Sequence, residues 1–340
     1  MAEAFLRFSG QDRLDALGVA ADRLGRPAHL LEKDVWVVWA IQQLFGSPIG
    51  ANLVFKGGTS LSKTYQVIDR FSEDVDLTFD IRVLIPDLLG GREDAMPATS
   101  SEERRWSKRV RQALPEWVAG TVQPILQQAM DWEGIDAGLR IDGDKLFIDY
   151  PHLAQGTGYV SPSVMLEFGA RSTGEPASPR DIVCDAASVI EGVEFPTARP
   201  RVMHAERTFW EKATAIHVFC LQNRIRGDRF SRHWHDVARL DDAGIAASAI
   251  EDRALATAVA RHKAMFFAEK GADARWIDYG AATCGQLQLA PSGAALDVLA
   301  DDYRRMAEDG LLASTPEPFG DLMDRCADIA RKANAAFKPD

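Results

Sequence analysis

This sequence is poor in the features that mark secreted, membrane-spanning or metal-clustered proteins. Only four cysteines occur (Cys184, Cys220, Cys284 and Cys326), and none forms a Cys-x-x-Cys pair. That excludes a disulfide-built scaffold and a cysteine zinc site, so reduced thiols in a cytoplasmic protein are expected. No uninterrupted apolar run reaches the ~18 residues of a membrane span, so no membrane partner is expected. The opening residues Met1 to Phe8 lack the layout of a signal peptide. No Gly-x-Gly-x-x-Gly follows a strand, no Gly-x-Ser-x-Gly elbow is present, and no glycine loop ends in Gly-Lys-Ser/Thr. Dinucleotide-fold, α/β-hydrolase and P-loop readings fall away together. Basic residues are also the minority, 39 Lys and Arg against 50 Asp and Glu, for a net charge of -11. That argues against a broad nucleic-acid-binding surface and leaves room for a local basic groove.

What is present centres on Leu53-Val-Phe-Lys-Gly-Gly-Thr-Ser-Leu-Ser-Lys63, followed by Arg70-Phe-Ser-Glu-Asp-Val-Asp-Leu77. Val54 and Phe55 are strand formers that run into Gly57-Gly58. Thr59 is a good N-cap for a helix over roughly 60–68. Beyond it Asp74, Asp76 and Thr78 alternate with Val75, Leu77 and Phe79, the period of a strand with both acids on one face. Glycines before a helix offer free N–H groups to phosphate, and paired carboxylates suit a hard cation such as Mg²⁺. Together they are the parts of metal-assisted phosphoryl or nucleotidyl transfer. The plain alternative is a tight turn beside a solvated acidic strand end.

The remainder divides near residue 200. Before it, helices are expected over 11–24 and 28–45, a polar loop over 86–104, and helices over 102–130 interrupted at Pro115 and Pro124. A hairpin with a Gly-Asp turn follows over 139–150, then a strand at 164–171 and further strands at 182–184 and 189–195. From His204 the pattern is helical: 204–222, 231–243, 247–270, 292–308 and 317–337. The expected class is α+β, a mixed β-sheet core with flanking helices and a C-terminal helical domain. Residues 1–200 form the αβ domain and residues 201–340 a helical domain completing the active-site cleft.

Several residues carry two readings each. Glu167, mid-strand between Leu166 and Phe168, is either a third carboxylate beside Asp74 and Asp76 or an edge glutamate facing water. Lys212 starts at the edge of an apolar helix face, as a snorkelling side chain or as a compact charge for a triphosphate. Asp236 lies one turn from Arg232 in a cationic stretch with Arg224, Arg226 and Arg229. His233 and His235 do not share a helix face, so a zinc pair is not expected. The run Arg104, Arg105, Lys108, Arg109, Arg111 is a solvated helix face or a phosphate-contacting one. Glu32-Lys33-Asp34 with Trp36 reads as surface plus core, with Lys33 or Glu32 as a brace for the glycine turn in the alternative reading.

Taken in order, Glu32-Lys-Asp-Val-Trp36, Phe55 to Lys63, Arg70 to Leu77, Arg207-Thr-Phe-Trp-Glu-Lys212 and Ser231 to Leu240 resemble the AbiEii/AbiGii toxin family. These are nucleotidyltransferases of the polymerase-beta-like superfamily. The resemblance implies that Gly57, Gly58 and Thr59 hold nucleotide phosphates, with Ser60, Lys63 and Ser72 in the same binding stretch. It implies that Asp74 and Asp76 bind Mg²⁺, or Mn²⁺ in its place, and that Lys212 and Asp236 act in catalysis. Glu167 joins the metal and catalytic set by analogy with the superfamily's frequent third acid. It further implies an NTP substrate and a toxin of a toxin–antitoxin or phage-defence (abortive infection) system. The acceptor would be the tRNA 3′ end. The cognate antitoxin need not touch the toxin. The readings kept beside it are nucleotidylation of a protein hydroxyl and a nucleotide-binding regulator without turnover.

Overall fold

The computed structural model describes residues 3–72, 74–155, 161–224, 229–308, 311–312 and 315–337; Glu73 and Arg226 of the stretches above lie outside them. Two compact units emerge. The first comprises Met1–Thr64, Ser72–Ala95 and Arg105–Met203, and the second Tyr65–Phe71, Met96–Arg104 and His204–Asp340.

The first unit is built on α1 (Gly10–Leu24), α2 (Ala28–Gly46) and a seven-stranded mixed sheet. Its strands are β1 (Leu53–Lys56), β2 (Val75–Phe79), β3 (Gly138–Asp142), β4 (Lys145–Asp149), β5 (Ser163–Gly169), β6 (Ala177–Pro179) and β7 (Arg201–Met203). Their spatial order is β3-β4-β5-β2-β1-β7-β6. The central β2 pairs antiparallel with β1 and parallel with β5. Alternation decides the two faces. Leu77, Phe55, Phe168 and Val202 share a register and are buried, each at 1% exposure or less. Trp117, at the end of a helix over Ser100–Trp117, closes this face by stacking on Phe79 at 4.1 Å and meeting Phe168 edge-on at 5.5 Å.

That helix runs through Pro115 without breaking, contrary to expectation. Val110, Ala113 and Leu114 are buried around the proline, and the strain is taken up just after Trp117 by a wider π turn over Val118–Val122. The polar stretch expected as a loop over 86–104 contains a short helix, Pro86–Leu89, and the start of the long one. Of the strand expected over 189–195 only Val193–Glu194 forms, pairing with Glu3–Ala4.

The second unit is helical: Ala205–Gln222, Arg232–Asp242, Ile245–Glu251, Arg253–Phe266, Ala294–Glu308 and Phe319–Ala336 are its longer elements. Trp210 and Trp234 are fully buried, and each indole N–H donates to a carbonyl, of Ala249 at 2.8 Å and Leu289 at 2.7 Å. The single helix expected over 247–270 is two. Asp252 ends the first and caps the second by accepting the N–H of Leu255 at 2.9 Å. Among the described residues no helix is long and apolar enough to cross a membrane.

His217 sits inside this unit. Its Nδ1 accepts the N–H of Gln288 at 3.1 Å, and Nε2 is buried with no partner among the described residues. Burial lowers its pKa to about 4. A histidine held neutral in the fold contributes stability that is complete above its unfolded value of 6.5 and is lost as the pH falls toward 4. The urea midpoint should therefore drop between pH 7 and pH 4.5, and His217→Gln should show a smaller drop over the same interval.

Candidate active site

Strand β1 ends at Lys56 and the chain turns at Gly57 with φ +78. A Cβ there would lie 1.9 Å from Asp76 Oδ2, so the carboxylate of Asp76 occupies the space that any other residue at 57 would fill. Glycine is required twice over, for the left-handed backbone and for this approach. The turn and the acid are thus one packed unit.

Helix begins at Gly57, not after Thr59, and runs as Gly57–Ser60 into a π turn over Leu61–Tyr65. Thr59 is therefore not the N-cap that its position suggests. It is buried, and its hydroxyl donates to the Asp74 carbonyl at 2.5 Å and lies 2.9 Å from the Ser72 hydroxyl. It ties the glycine turn to the segment that leads into the acids. Ser60 is also buried, its hydroxyl donating back to the Gly57 carbonyl at 2.9 Å.

The carboxylates lie where alternation puts them. Asp74 and Asp76 are half-buried, while Val75 and Leu77 are fully buried. Glu167 does neighbour them: β5 lies against β2 with Asp76 and Glu167 in register. Its carboxylate, however, meets the ammonium of Lys145 at 3.2 Å. Among the described residues no three of histidine, cysteine, aspartate and glutamate are gathered as a metal site would gather them. Two half-exposed aspartates still fit a hard cation of the Mg²⁺ kind, which keeps several waters and binds through one or two carboxylates and substrate phosphates.

Lys63 is placed elsewhere. Its ammonium is held at 2.6 Å by both Asp34 and Asp185. Burial alone would lower its pKa, but the two carboxylates raise it, so it is charged. Arg26 adds a further contact to Asp185. Glu32, Lys33 and Asp34 are all buried, against the expectation of a surface. Glu32 accepts the N–H groups of Leu153 and Ala154 at 3.0–3.2 Å, and Lys33 donates to the Ser161 carbonyl at 2.9 Å. It is Asp34 that reaches the helix of the glycine turn, through Lys63, where the sequence pointed to Lys33 or Glu32. The polarity of three consecutive residues in an apolar helix was the available signal; the partners, most of them more than a hundred residues away, were not.

Lys212 and Asp236 come together within the second unit. Lys212 Nζ lies 2.9 Å from Asp236 Oδ2, and the guanidinium of Arg70 grips both oxygens of Asp236 at 2.7 Å. Burial works to raise the Asp236 carboxyl. Arg70 and Lys212 overcome it and hold the group far below the usual carboxylate range. Burial lowers the Lys212 ammonium despite Asp236. His235 Nε2 lies 2.9 Å from Asp69. Arg70 is the residue that the reading of the sequence quoted without a role. The basic run remains a surface: Arg104, Arg105, Lys108, Arg109 and Arg111 are all exposed.

The glycine turn is packed against Asp76 on a mixed sheet, and the family match makes the chain a nucleotidyltransferase. The chain belongs to the AbiEii family, nucleotidyl transferase toxins of type IV toxin–antitoxin systems, whose family model matches residues 39–325. Among solved structures it is similar to MenT4, a nucleotidyltransferase toxin of Mycobacterium tuberculosis. The two share 18% identity and a TM-score of 0.47, over 94% of this chain and 89% of that one. It is also similar to JHP933 of Helicobacter pylori, with 16% identity and a TM-score of 0.39, over 89% of this chain and 90% of that one. No curated protein matches the sequence.

Proposed function

We propose that this toxin transfers a nucleoside monophosphate from an NTP to the 3′ end of tRNA in the cytoplasm, with Mg²⁺ held by Asp74 and Asp76. The observation that carries the reading is the seating of the Asp76 carboxylate on Gly57, which makes a phosphate turn and an acid pair a single unit. Backbone N–H groups at Gly57 and Gly58 receive the phosphates. The bound cation would neutralise charge on the transferring phosphate. Thr59 keeps the turn and the acids in register through its hydroxyl, which lies against both the Asp74 carbonyl and the Ser72 hydroxyl. Lys63, clamped between two carboxylates, fixes the helix behind the turn. The exposed cations Lys108, Arg109 and Arg111 supply a face for a polyanionic acceptor. As a toxin of such a system the chain has a cognate antitoxin, which neutralises it without needing to occupy this site.

Incubation with total RNA and each α-³²P-NTP in turn tests this. Label should enter an RNase-sensitive product of tRNA size, from one NTP in preference to the others. Label that resists RNase and disappears with protease would move the acceptor to a protein hydroxyl. NTP binding without release of pyrophosphate would make the chain a regulator.

A further inference from the structure

Asp34 uses both of its carboxylate oxygens. Oδ1 lies 2.6 Å from the Lys63 ammonium, and Oδ2 accepts the Asp185 N–H at 2.7 Å. Asp185 in turn closes on Lys63 at 2.6 Å and also meets Arg26. Asp34 therefore holds the ammonium directly and fixes the backbone that carries the second carboxylate. The Lys63 and Asp34 side chains are 9% and 6% exposed, so water does not compete for the pair. Lys63 stands in the middle of the π turn Leu61–Tyr65. Such a turn widens the helix and recurs at functional sites. Hydroxyls brace it from inside: Ser60, Ser62 and Thr64 donate to the carbonyls of Gly57, Thr59 and Ser60 at 2.9, 3.1 and 2.7 Å. Those three bonds stay within the segment. Lys63 ties the segment to α2, which is buried all round from Leu30 to Ile41.

We propose that Asp34 is a positioning residue for the nucleotide: through Lys63 and Asp185 it holds the π turn, and with it the angle at which the Gly57 and Gly58 N–H groups meet the phosphates. The inference rests on reading that turn as the phosphate seat. Its physical basis is the stiffness of a buried charge. An ammonium shielded from water leaves its carboxylates only at the cost of standing unpaired, so the clamp fixes a direction as well as a contact. Backbone donors act on a phosphate only when aimed at it, and a small misplacement far from the reacting atoms is felt in the rate. Asp34 acts through Lys63, from a helix that enters the sequence before the turn itself.

The test pairs hydrogen exchange with transfer kinetics. Asp34→Asn with Lys63→Met removes one charge of each sign and leaves Asp185 with Arg26. It also keeps an acceptor for the Asp185 N–H, so no buried charge is stranded and the melting temperature should hold. Exchange in peptides covering 57–65 should quicken by about tenfold, with strands β2 and β5 unchanged. The kcat/KM for transfer should fall by about a hundredfold, chiefly through a higher KM for the NTP, the scale of a group misplaced by about an ångström. Glu32→Gln disturbs the same turn of α2 but leaves the clamp whole, so it should keep slow exchange at 57–65 and normal transfer wherever it is folded. If the double variant does not fold, Asp34→Asn alone, measured below its melting temperature, must show both changes. Unquickened exchange, or quickened exchange with unchanged kcat/KM, overturns the role of Asp34 and leaves the phosphate reading standing. An equal loss of transfer in folded Glu32→Gln overturns that role as well. NTP affinity that Gly57→Ala does not alter overturns the reading of the turn itself.

Discussion

Asp76→Asn should cut nucleotidyl transfer by about a thousandfold, the scale of losing several kcal/mol of charge stabilisation at a reacting phosphate. The substitution keeps the shape of the side chain and removes its charge. Asp76 is half-buried at the start of β2, so the amide meets solvent and the melting temperature should hold. Gly57→Ala should reach a similar loss by a different route. Its methyl group would lie 1.9 Å from Asp76 Oδ2 on a backbone at φ +78, so the carboxylate must leave its seat or the turn must unwind. Asp74→Asn completes the set. Transfer of α-³²P label, circular dichroism and thermal melts on the three variants check the claim together. A folded Asp76→Asn variant that keeps more than a tenth of the transfer would remove this acid from the chemistry.

The local part of this site was legible in the sequence because local physics decides it. Strand formers running into two glycines predict the turn, and the alternation from Asp74 to Phe79 predicts which side chains face out. For Glu167 the sequence left two readings, a third carboxylate or an edge glutamate facing water, and the sheet sets it beside Asp76. What could not be read is whatever depends on packing between distant segments. The pairing of Lys145 with Glu167 depends on β4 and β5 being neighbours with these two residues opposite one another. Thr59 has every local property of an N-cap, but burial and the Asp74 carbonyl gave its hydroxyl another task. The resemblance puts Lys63 in the nucleotide-binding stretch; its two close carboxylates, Asp34 and Asp185, come from segments 29 residues before it and 122 residues after it, which no local pattern announces. The order Glu32-Lys33-Asp34 reads as a surface only until the helix is found to be buried all round from Leu30 to Ile41.

Asp236→Ala should destabilise the protein by about 3–5 kcal/mol, because it strands two buried cations at once. Asp236 is fully buried and receives both a bidentate guanidinium from Arg70 and the ammonium of Lys212. With the carboxylate gone, neither cation retains its counter-charge from this group, and Lys212, already lowered by burial, becomes the easier of the two to deprotonate. Removing one cation as well should recover part of the loss, so Asp236→Ala with Lys212→Met should be more stable than the sum of the single variants. The pH dependence has a definite sign. A carboxyl depressed in the fold contributes stability that is complete above its unfolded value near 3.8 and disappears only below it. The cost of Asp236→Ala in urea unfolding should then be present in full at pH 6 and should shrink as the pH falls below about 4. This separates architecture from chemistry in a residue to which the family resemblance assigns a catalytic part. Lost transfer in Asp236→Ala carries weight for chemistry only at temperatures where the variant is still folded, and Arg70→Met supplies the comparison. If Arg70→Met unfolds as readily as Asp236→Ala yet retains transfer when folded, the acid acts on the reaction; if both lose transfer only where they melt, the triad is structural.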